Sequence, residues 1–326
     1  MKQYLKSIRT ALFCFLAVIL LNFLLLRMLP GDPVAYLSGF AEEEMTAAKV
    51  EYYRNALHLD ESLPMQFVYY IRSLLDGTLG YSFKKEAVVS SLIGERLGYT
   101  LQITLPSVIL STVLGLVWGL SCGIRSGSLK DRLSGSLMMI LNAVPTFVTA
   151  LALVILFCFR NRLLPYTGVS SAGMAPGEEG FLADRLRHLI LPVGALTLSM
   201  LPSRFLLMRN TAAAISHEKY VLYARQRGLS ESAVRFGYVF KNIAQPFITM
   251  VGMSVSLCIG GSLVIENIFS INGMGRLLTD AVYTLDYPLM QGILFVTTFI
   301  MLIAVIVSDL ICILIDPKVR RGDSLA

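Results

Sequence analysis

The sequence predicts an all-α integral membrane protein with six transmembrane helices, and both its composition and its apolar runs support this. Of the 326 residues, 55% are hydrophobic and only 15% are charged, and the mean hydropathy is +0.66. The apolar residues stand in long unbroken runs. A bilayer core of roughly 30 Å requires about 20 helical residues, so such runs are typical of transmembrane helices. A membrane β-barrel would show short alternating segments instead.

Polar segments separate the six apolar runs and define their order. The first run could be a cleaved signal peptide. It is long for such a peptide and no cleavage pattern follows it, so we expect it to remain as a span. We call the polar segment 216–246 the elbow, and we expect the longest loop, 34–98, to form a subdomain on the opposite side of the membrane. The predicted spans are residues 11–29, 101–124, 133–159, 189–208, 247–265 and 289–315.

Basic residues concentrate on the side of the membrane that holds both termini, the loop between spans two and three, and the elbow. The opposite loops are longer and offset their basic residues with acids such as Glu178 and Glu179. The positive-inside rule therefore predicts that the termini and the elbow are cytoplasmic and that loop 34–98 is extracytoplasmic. The net charge of +6 fits this bias, and contact with membrane lipid, better than it fits a nucleic-acid partner.

Several residues inside the spans have predicted structural roles. Gly115 and Gly119 have the spacing that permits close packing of helices. Pro145 is expected to bend span three. Arg204 is an unusual charge within a span, and we expect it to lie near the membrane interface.

Four polar residues in or beside the spans are candidates for pore or structural roles. Asp309 is an acid inside the last span and is therefore a functional candidate, although a structural role as the partner of a helix end or basic loop is favoured. Asn142 is expected to form a hydrogen bond between helices. Glu266 and Asn267 either contact cargo or cap the turn that follows them.

The elbow is predicted to contain two helices with a break between them. Glu218 stands near the start of the first helix and Arg225 and Arg227 stand near its end, which is the charge order that a helix dipole favours. Gly228 is placed to end this helix, and Ser230 can cap the next one. A basic two-helix elbow between two spans is a candidate for a cytoplasmic docking element. The alternative is a charged loop that only sets the topology.

The sequence holds no pattern for binding nucleotide or metal, or for catalysis. The phosphate-binding motif G-x-x-x-x-G-K-[ST] does not occur, and the sequence has no Gly-Lys pair. The five cysteines lie in apolar runs without paired spacing, and the three histidines are far apart. We therefore expect a chain that is not an enzyme and binds no cofactor or metal, so that any energy for transport comes from a partner.

The elbow resembles the EAA loop of ABC importer permeases. The run ARQRGLS at 224–230, followed by Asn242 and Pro246, is most similar to the dipeptide, oligopeptide and nickel branch, of the first-permease type. Tyr223 and Tyr238 depart from the residues common in that branch, but the glycine and its spacing to the proline are kept. The residues that the resemblance assigns to ATPase coupling are Glu218, Ala224, Arg225, Arg227, Gly228, Leu229, Ser230 and Asn242.

Further pieces of the resemblance extend over nearly the whole chain. They include LPGDP at 29–33, DYP at 286–288 and DPKVRR at 316–321. The segment GGSLVIENIF at 260–269 looks somewhat closer to the nickel or metal-chelate members than to the peptide members.

The resemblance implies a permease subunit in a bacterial inner membrane, which forms the path for peptides or for nickel or other metal chelates. In this family a second homologous permease completes a heterodimer, cytoplasmic ABC ATPase subunits use the ATP, and an extracytoplasmic solute-binding protein delivers the cargo. The alternatives are an autonomous channel or a secondary transporter. A secondary transporter would normally show internal repeats, and a channel has no need of an ATPase-docking elbow.

Overall fold

The computed structural model describes residues 2–28, 34 and 46–315, and helices dominate that part of the chain. Two compact units are present. One comprises Met1–Thr100 with Asn272–Leu302, and the other comprises Leu101–Ile271 with Ile303–Ala326. The predicted motifs at 29–33 and 316–321 lie outside the described residues.

The helices follow one another with short connections, apart from the segments after Arg27 and after Arg160. The helix Thr146–Val154 continues as a π-helix over Ile155–Arg160, and the helix Glu231–Ala233 continues as a π-helix over Val234–Phe240. Strands β1 (Tyr81–Ser82) and β2 (Ala87–Val88) form a small antiparallel hairpin. The helices are α1 Lys2–Arg27, α2 Ala47–Ala56, α3 Leu63–Leu75, α4 Val89–Ile124, α5 Leu129–Ala143, α6 Thr146–Val154, α7 Phe181–Ser216, α8 Lys219–Gln226, α9 Glu231–Ala233, α10 Lys241–Gly261, α11 Leu263–Ile268, α12 Met274–Tyr283 and α13 Tyr287–Ile315.

Three of these helices, α4, α7 and α13, are long and apolar enough to cross a membrane. The pair formed by α5 and the π-extended α6 makes a fourth candidate span, which is bent by 98°. The bend confirms the role predicted for Pro145, whose ring cannot continue a helix and favours an extended residue before it. Val144 accordingly has an extended backbone (ψ 122°). Predicted spans one and five fall on α1 and α10, and their crossing of the membrane stays a prediction.

A row of glycines brings the backbones of α4 and α7 into close contact. A Cβ atom added at Gly115 would lie 2.7 Å from Arg204 Cβ, and one added at Gly119 would lie 2.7 Å from the carbonyl oxygen of Phe205. The row continues to Gly123, where a Cβ would lie 2.4 Å from the carbonyl oxygen of Arg209. This confirms the close packing that the sequence predicted and extends it by one helical turn.

Arg204 lies within this contact, and its expected place near the membrane interface stays a prediction. Only 1% of the residue is exposed, and its Nη1 donates a hydrogen bond to the carbonyl oxygen of Met200 at 3.2 Å. The guanidinium group is therefore buried by protein. α4 packs against Arg204 at Gly115, so protein rather than lipid surrounds this charge.

In the other unit, α1 is held against the long loop by a polar and aromatic cluster. Arg27 Nε donates to Gln66 Oε1 at 3.0 Å, and the guanidinium carbon lies 3.8 Å from the centre of the Phe23 ring. Phe23 also packs edge-on against Phe67. α2, α3 and the hairpin thus give the described part of loop 34–98 an ordered fold, with Gln66 buried at its contact with α1.

Candidate functional site

The first half of the elbow is the helix α8, which ends sharply at a glycine. Glu218 precedes α8 with an extended backbone (ψ 142°). At the other end Gly228 has φ +76°, and the amide of Leu229 donates to the carbonyl oxygen of Ala224 at 3.4 Å. A left-handed backbone favours glycine because an L side chain is strained there. Space is not the constraint, since a Cβ at Gly228 would meet nothing within 4 Å.

The second half of the elbow begins at the predicted cap. Ser230 Oγ accepts a hydrogen bond from the amide of Ala233 at 3.3 Å, and this starts α9. Across the break, Arg225 Nε lies 3.6 Å from Glu231 Oε1. The family resemblance assigns Arg225 to ATPase coupling, and in the structure this residue has an acidic neighbour within the chain. The pair is partly exposed, so it contributes little to stability.

The inner face of the elbow is buried against the ends of three long helices. Val221 and Ala224 occupy one face of α8, and Val234 and Val239 lie on the π-extended α9. All four join one apolar cluster with side chains of α4, α7 and α10. This burial fixes the elbow to the helices, because each fully buried large aliphatic side chain contributes roughly 1.5–3 kcal/mol to the stability of the packed state. The cluster residues from those helices are Leu120, Ile124, Met208, Ala212, Ile243 and Phe247.

The outer face of the elbow carries exposed aromatic and basic side chains. Tyr223 is exposed on α8, Arg227 is exposed at its end, and Phe236 is exposed on the second half. Tyrosine and arginine are enriched among the residues that dominate protein interfaces. Partial burial, and then the Glu218 carboxylate, raise the pKa of the Tyr220 hydroxyl. Sequence reasoning treated Tyr223 only as a departure and missed Phe236, although apolar residues on a polar helix were a usable signal.

A buried ion pair holds the turn between α4 and α5 against α7. Arg209 Nε donates to Asp131 Oδ1 at 2.7 Å and Arg209 Nη2 donates to Asp131 Oδ2 at 2.5 Å. The amide of Gly127 donates to the same carboxylate at 2.9 Å. The Asp131 side chain is fully buried, whereas that of Arg209 is 30% exposed. Local sequence patterns give no sign of this pair, because 78 residues separate the two partners.

An open cleft of about 720 Å³ lies beside the elbow, between α7 and α10. Its polar groups are neutral. Thr249 Oγ1 and Ser254 Oγ donate to carbonyl oxygens of their own helix at 3.1 and 2.8 Å, and Gln245 is exposed. No charged residue lines it in the described part of the chain, so it offers hydroxyl, amide and thioether groups. The lining residues are Ser203, Gln245, Pro246, Thr249, Met250, Met253 and Ser254.

The other residues singled out in the sequence lie elsewhere. Asn142 is exposed and, among the described residues, bonds to no other helix, so the expected interhelical hydrogen bond is absent there. Glu266 is buried and accepts from Ser262 Oγ at 2.8 Å, which favours its structural role, whereas Asn267 is exposed. Asp309 lies on α13, and its side chain is outside the described part.

Asn242 is an exposed residue of the predicted coupling set, at the start of α10. Its Nδ2 donates to the carbonyl oxygen of Tyr238 at 2.6 Å. The side chain therefore bonds one turn back, to the π-helical extension of α9, and supports its junction with α10.

Two family models together match nearly the whole chain. The model of the binding-protein-dependent transport system inner membrane component matches residues 111–321, and that of the N-terminal part of the same kind of component matches residues 1–104. The probable peptide ABC transporter permease protein y4tP of Sinorhizobium fredii is 32% identical over 91% of this chain and 92% of its own length. The dipeptide transport system permease protein DppB of Escherichia coli is 28% identical, over 94% and 95% of the two chains.

Proposed function

The chain belongs to the family of binding-protein-dependent transport system inner membrane components, and from this premise we propose that it is the permease subunit of a peptide importer. A permease of this family is a transport component of the inner membrane and not an enzyme. Peptide cargo is supported by the similarity to two peptide permeases over nine-tenths of the chain. That support outweighs the segment at 260–269, which favours nickel or metal chelates.

The elbow couples the chain to a cytoplasmic ABC ATPase in this proposal, and the observation that carries it is the division between the two faces of the elbow. Its inner face is buried in one cluster with α4, α7 and α10. Its outer face carries exposed Tyr223 and Arg227. A partner that moves the outer face would therefore move three long helices as one body, which is a rigid-body route between inward-open and outward-open states.

The remaining partners and the topology complete the proposal. Residues 1–326 form a single permease domain whose six spans cross the membrane with both termini in the cytoplasm. A second homologous permease completes the path. Loop 34–98 faces the solute-binding protein. Its described part is folded rather than extended, with Gln66 accepting from Arg27 and donating to the carbonyl oxygens of Leu59 and Glu61. No cofactor is proposed for this chain, because ATP is used by the partner.

The cleft between α7 and α10 is proposed as part of the translocation path. Its hydroxyl and amide groups can exchange hydrogen bonds with a peptide backbone, and its methionines can adapt to different side chains. A neutral lining suits a path that must release its cargo, since a fixed charge would bind cargo of opposite charge too well to let it leave.

The test of coupling compares two double variants with the same change of charge. The tagged chain is purified from its native membranes in mild detergent, and the co-purifying ATPase is identified and assayed. In Tyr223→Asp with Arg227→Glu, recovery of the ATPase is expected to fall at least about tenfold, as for loss of an interface hot spot. The matched control is Tyr166→Asp with Arg187→Glu, which changes exposed residues of the loop before α7 and its first turns.

Cargo is tested in liposomes that also hold the partners. Uptake of a labelled dipeptide that exceeds uptake of nickel is the expected result, and the reverse would assign the chain to the metal branch. If the wild-type chain retrieves no ATPase and still moves solute alone, a channel or secondary transporter replaces the importer.

A further inference from the structure

A second cleft, of about 370 Å³, lies where the turn between α4 and α5 meets the elbow. Three basic side chains line it: Arg125 from the end of α4, Lys130 from the start of α5, and Arg235 from the elbow. The function proposed above makes no use of it. The other lining residues are Trp118, Ser121, Cys122, Ser128, Leu133 and Ser134.

The positive charge of this cleft has no acidic partner among the residues that the structure describes. No acidic residue lines the cleft, and none of the three basic residues forms an ion pair within the described residues. Asp131, the acid nearest in sequence, is held by Arg209 instead. The Nε of Arg235 is buried and has no hydrogen-bond partner in the described part of the chain. Because this buried atom has no contact with solvent, an anion in the cleft would be held by the other nitrogens of the Arg235 guanidinium group.

The cleft also contains hydroxyl groups and a helix end that suit an anion. Ser128 and Ser134 line it with hydroxyl groups that accept from the Asp131 amide at 3.3 Å and the Trp118 indole at 3.0 Å, so their own protons are available to donate. Ser121 also lines it but already donates to the carbonyl oxygen of Val117 at 2.6 Å. Ser128 is the N-cap of α5, a helix of 15 residues. The N-terminus of a helix attracts negative charge through its free amides and its dipole. Together with three cations, these donors fit a phosphate group.

One wall of the cleft is apolar and continues along an exposed helix face. The indole of Trp118 donates to Ser134 Oγ at 3.0 Å and packs edge-on against Phe205. Leu129, Leu133 and Leu137 follow at four-residue spacing on one face of α5, and they are 73%, 64% and 46% exposed. Tryptophan is enriched at the boundary between lipid tails and headgroups. A soluble anion would leave this leucine face uncovered, whereas lipid chains would cover it.

We propose that this cleft binds the phosphate headgroup of an anionic phospholipid, whose acyl chains lie on the leucine face of α5. Charge complementarity and the adjoining apolar face support a lipid over a soluble phosphate. Because Arg235 belongs to the elbow and the other two cations stand at the facing ends of α4 and α5, one headgroup would link the elbow to the junction between these two helices. The binding inference stands without the proposed function, and only an effect on ATP hydrolysis would rest on it.

The test is lipid retention by the full-length chain, measured by native mass spectrometry after release from nanodiscs. The nanodiscs contain equal amounts of phosphatidylglycerol and phosphatidylcholine. Wild type is expected to retain phosphatidylglycerol preferentially. Arg125→Gln, Lys130→Gln and Arg235→Gln are each expected to reduce that preference roughly fivefold, since a basic residue near an anionic surface has about this effect. Arg235→Lys, which keeps the charge, should retain most of it.

A cleft triple variant, which combines Arg125→Gln, Lys130→Gln and Arg235→Gln, is compared with a control triple variant. The comparison distinguishes lipid binding at this cleft from a general effect of positive charge. The control combines Lys85→Gln, Arg160→Gln and Arg187→Gln, which removes the same number of exposed lysine and arginine charges outside the cleft. Loss of the preference in the cleft triple, but not in the control, supports the site. Equal loss in both, or retention by the cleft triple while it stays folded by circular dichroism, overturns it. Displacement of the lipid by millimolar inorganic phosphate would show that a soluble anion is the ligand and would also overturn it.

Discussion

At the scale of single residues, Gly228 and the pair of Asp131 and Arg209 stabilise the site by different physical means. Gly228 acts through its backbone, because its φ of +76° is strained for other residues and open space surrounds its Cα. Asp131 acts through charge, because its fully buried carboxylate requires the two hydrogen bonds from Arg209. Substitutions at Gly228 and at the ion pair are therefore expected to lower the free energy of unfolding for different reasons and by different amounts.

The stability lost when Gly228 is replaced is expected to depend on how readily the new residue adopts a left-handed backbone. Gly228→Ala should destabilise the chain by about 1–2 kcal/mol, and Gly228→Asn by less, because asparagine visits this conformation more readily. Thermal unfolding in detergent measures the order. Equal stability of the wild type and Gly228→Ala would contradict a need for the left-handed conformation.

Removal of either partner of the buried pair is expected to have unequal effects. Arg209→Ala leaves a carboxylate that is 0% exposed without its cation, so a loss of about 3 kcal/mol or more is expected. Asp131→Ala leaves an arginine that can reach water, so its loss should be smaller. Thermal unfolding of both single variants and of the double variant, which should recover part of the loss, measures the interaction. A larger loss of stability in Asp131→Ala than in Arg209→Ala would contradict this explanation.

At the scale of secondary structure, the glycine row makes α4 and α7 a closely packed pair. Each position in the row would place a Cβ atom within 3.0 Å of the facing helix. The same residue type has no such role at Gly135 in α5, where a Cβ would meet nothing within 4 Å. Spacing along the sequence therefore indicates which glycines could pack, and the facing helix decides which of them do.

This difference gives a matched pair of substitutions. Gly123→Ala should destabilise the chain by about 1–3 kcal/mol, because a methyl group 2.4 Å from a backbone oxygen forces the helices apart. Gly135→Ala should leave stability unchanged or raise it by up to about 1 kcal/mol, because alanine is the better helix former. Thermal unfolding measures both changes. A Gly123→Ala variant as stable as the wild type would contradict the prediction, because it would show that α4 and α7 can accommodate a methyl group at this contact.

At the scale of the whole molecule, the proposed topology is open to a direct test. In a background without native cysteines, Glu231→Cys in the elbow should react with a membrane-impermeant maleimide only from the cytoplasmic side. Glu178→Cys, in the loop before α7, should react only from the opposite side, because an odd number of spans separates the two positions in the proposed topology. Both residues are exposed, so access to the reagent is not limited by the fold. Labelling of both from one side would contradict the six-span arrangement.

Features that depend on a few neighbouring residues were predictable from the sequence alone. The apolar runs predicted helices, Pro145 predicted the bend, and Gly228 and Ser230 predicted the break in the elbow, since each conformation depends on nearby backbone chemistry. The motifs of the elbow also pointed to the correct family. These patterns need no knowledge of which helix packs against which.

Only the tertiary structure decided which distant residues meet. It buried Arg204 under α4, paired Asp131 with Arg209 across 78 residues, and brought Arg235 to a cleft shared with Arg125 and Lys130. Within the described part of the chain, it also left Asn142 exposed and without the interhelical bond expected from its polarity. The physical reason is that the free energy of a charge depends on the groups and solvent around it. Those surroundings are set by helix packing, which local periodicity does not specify.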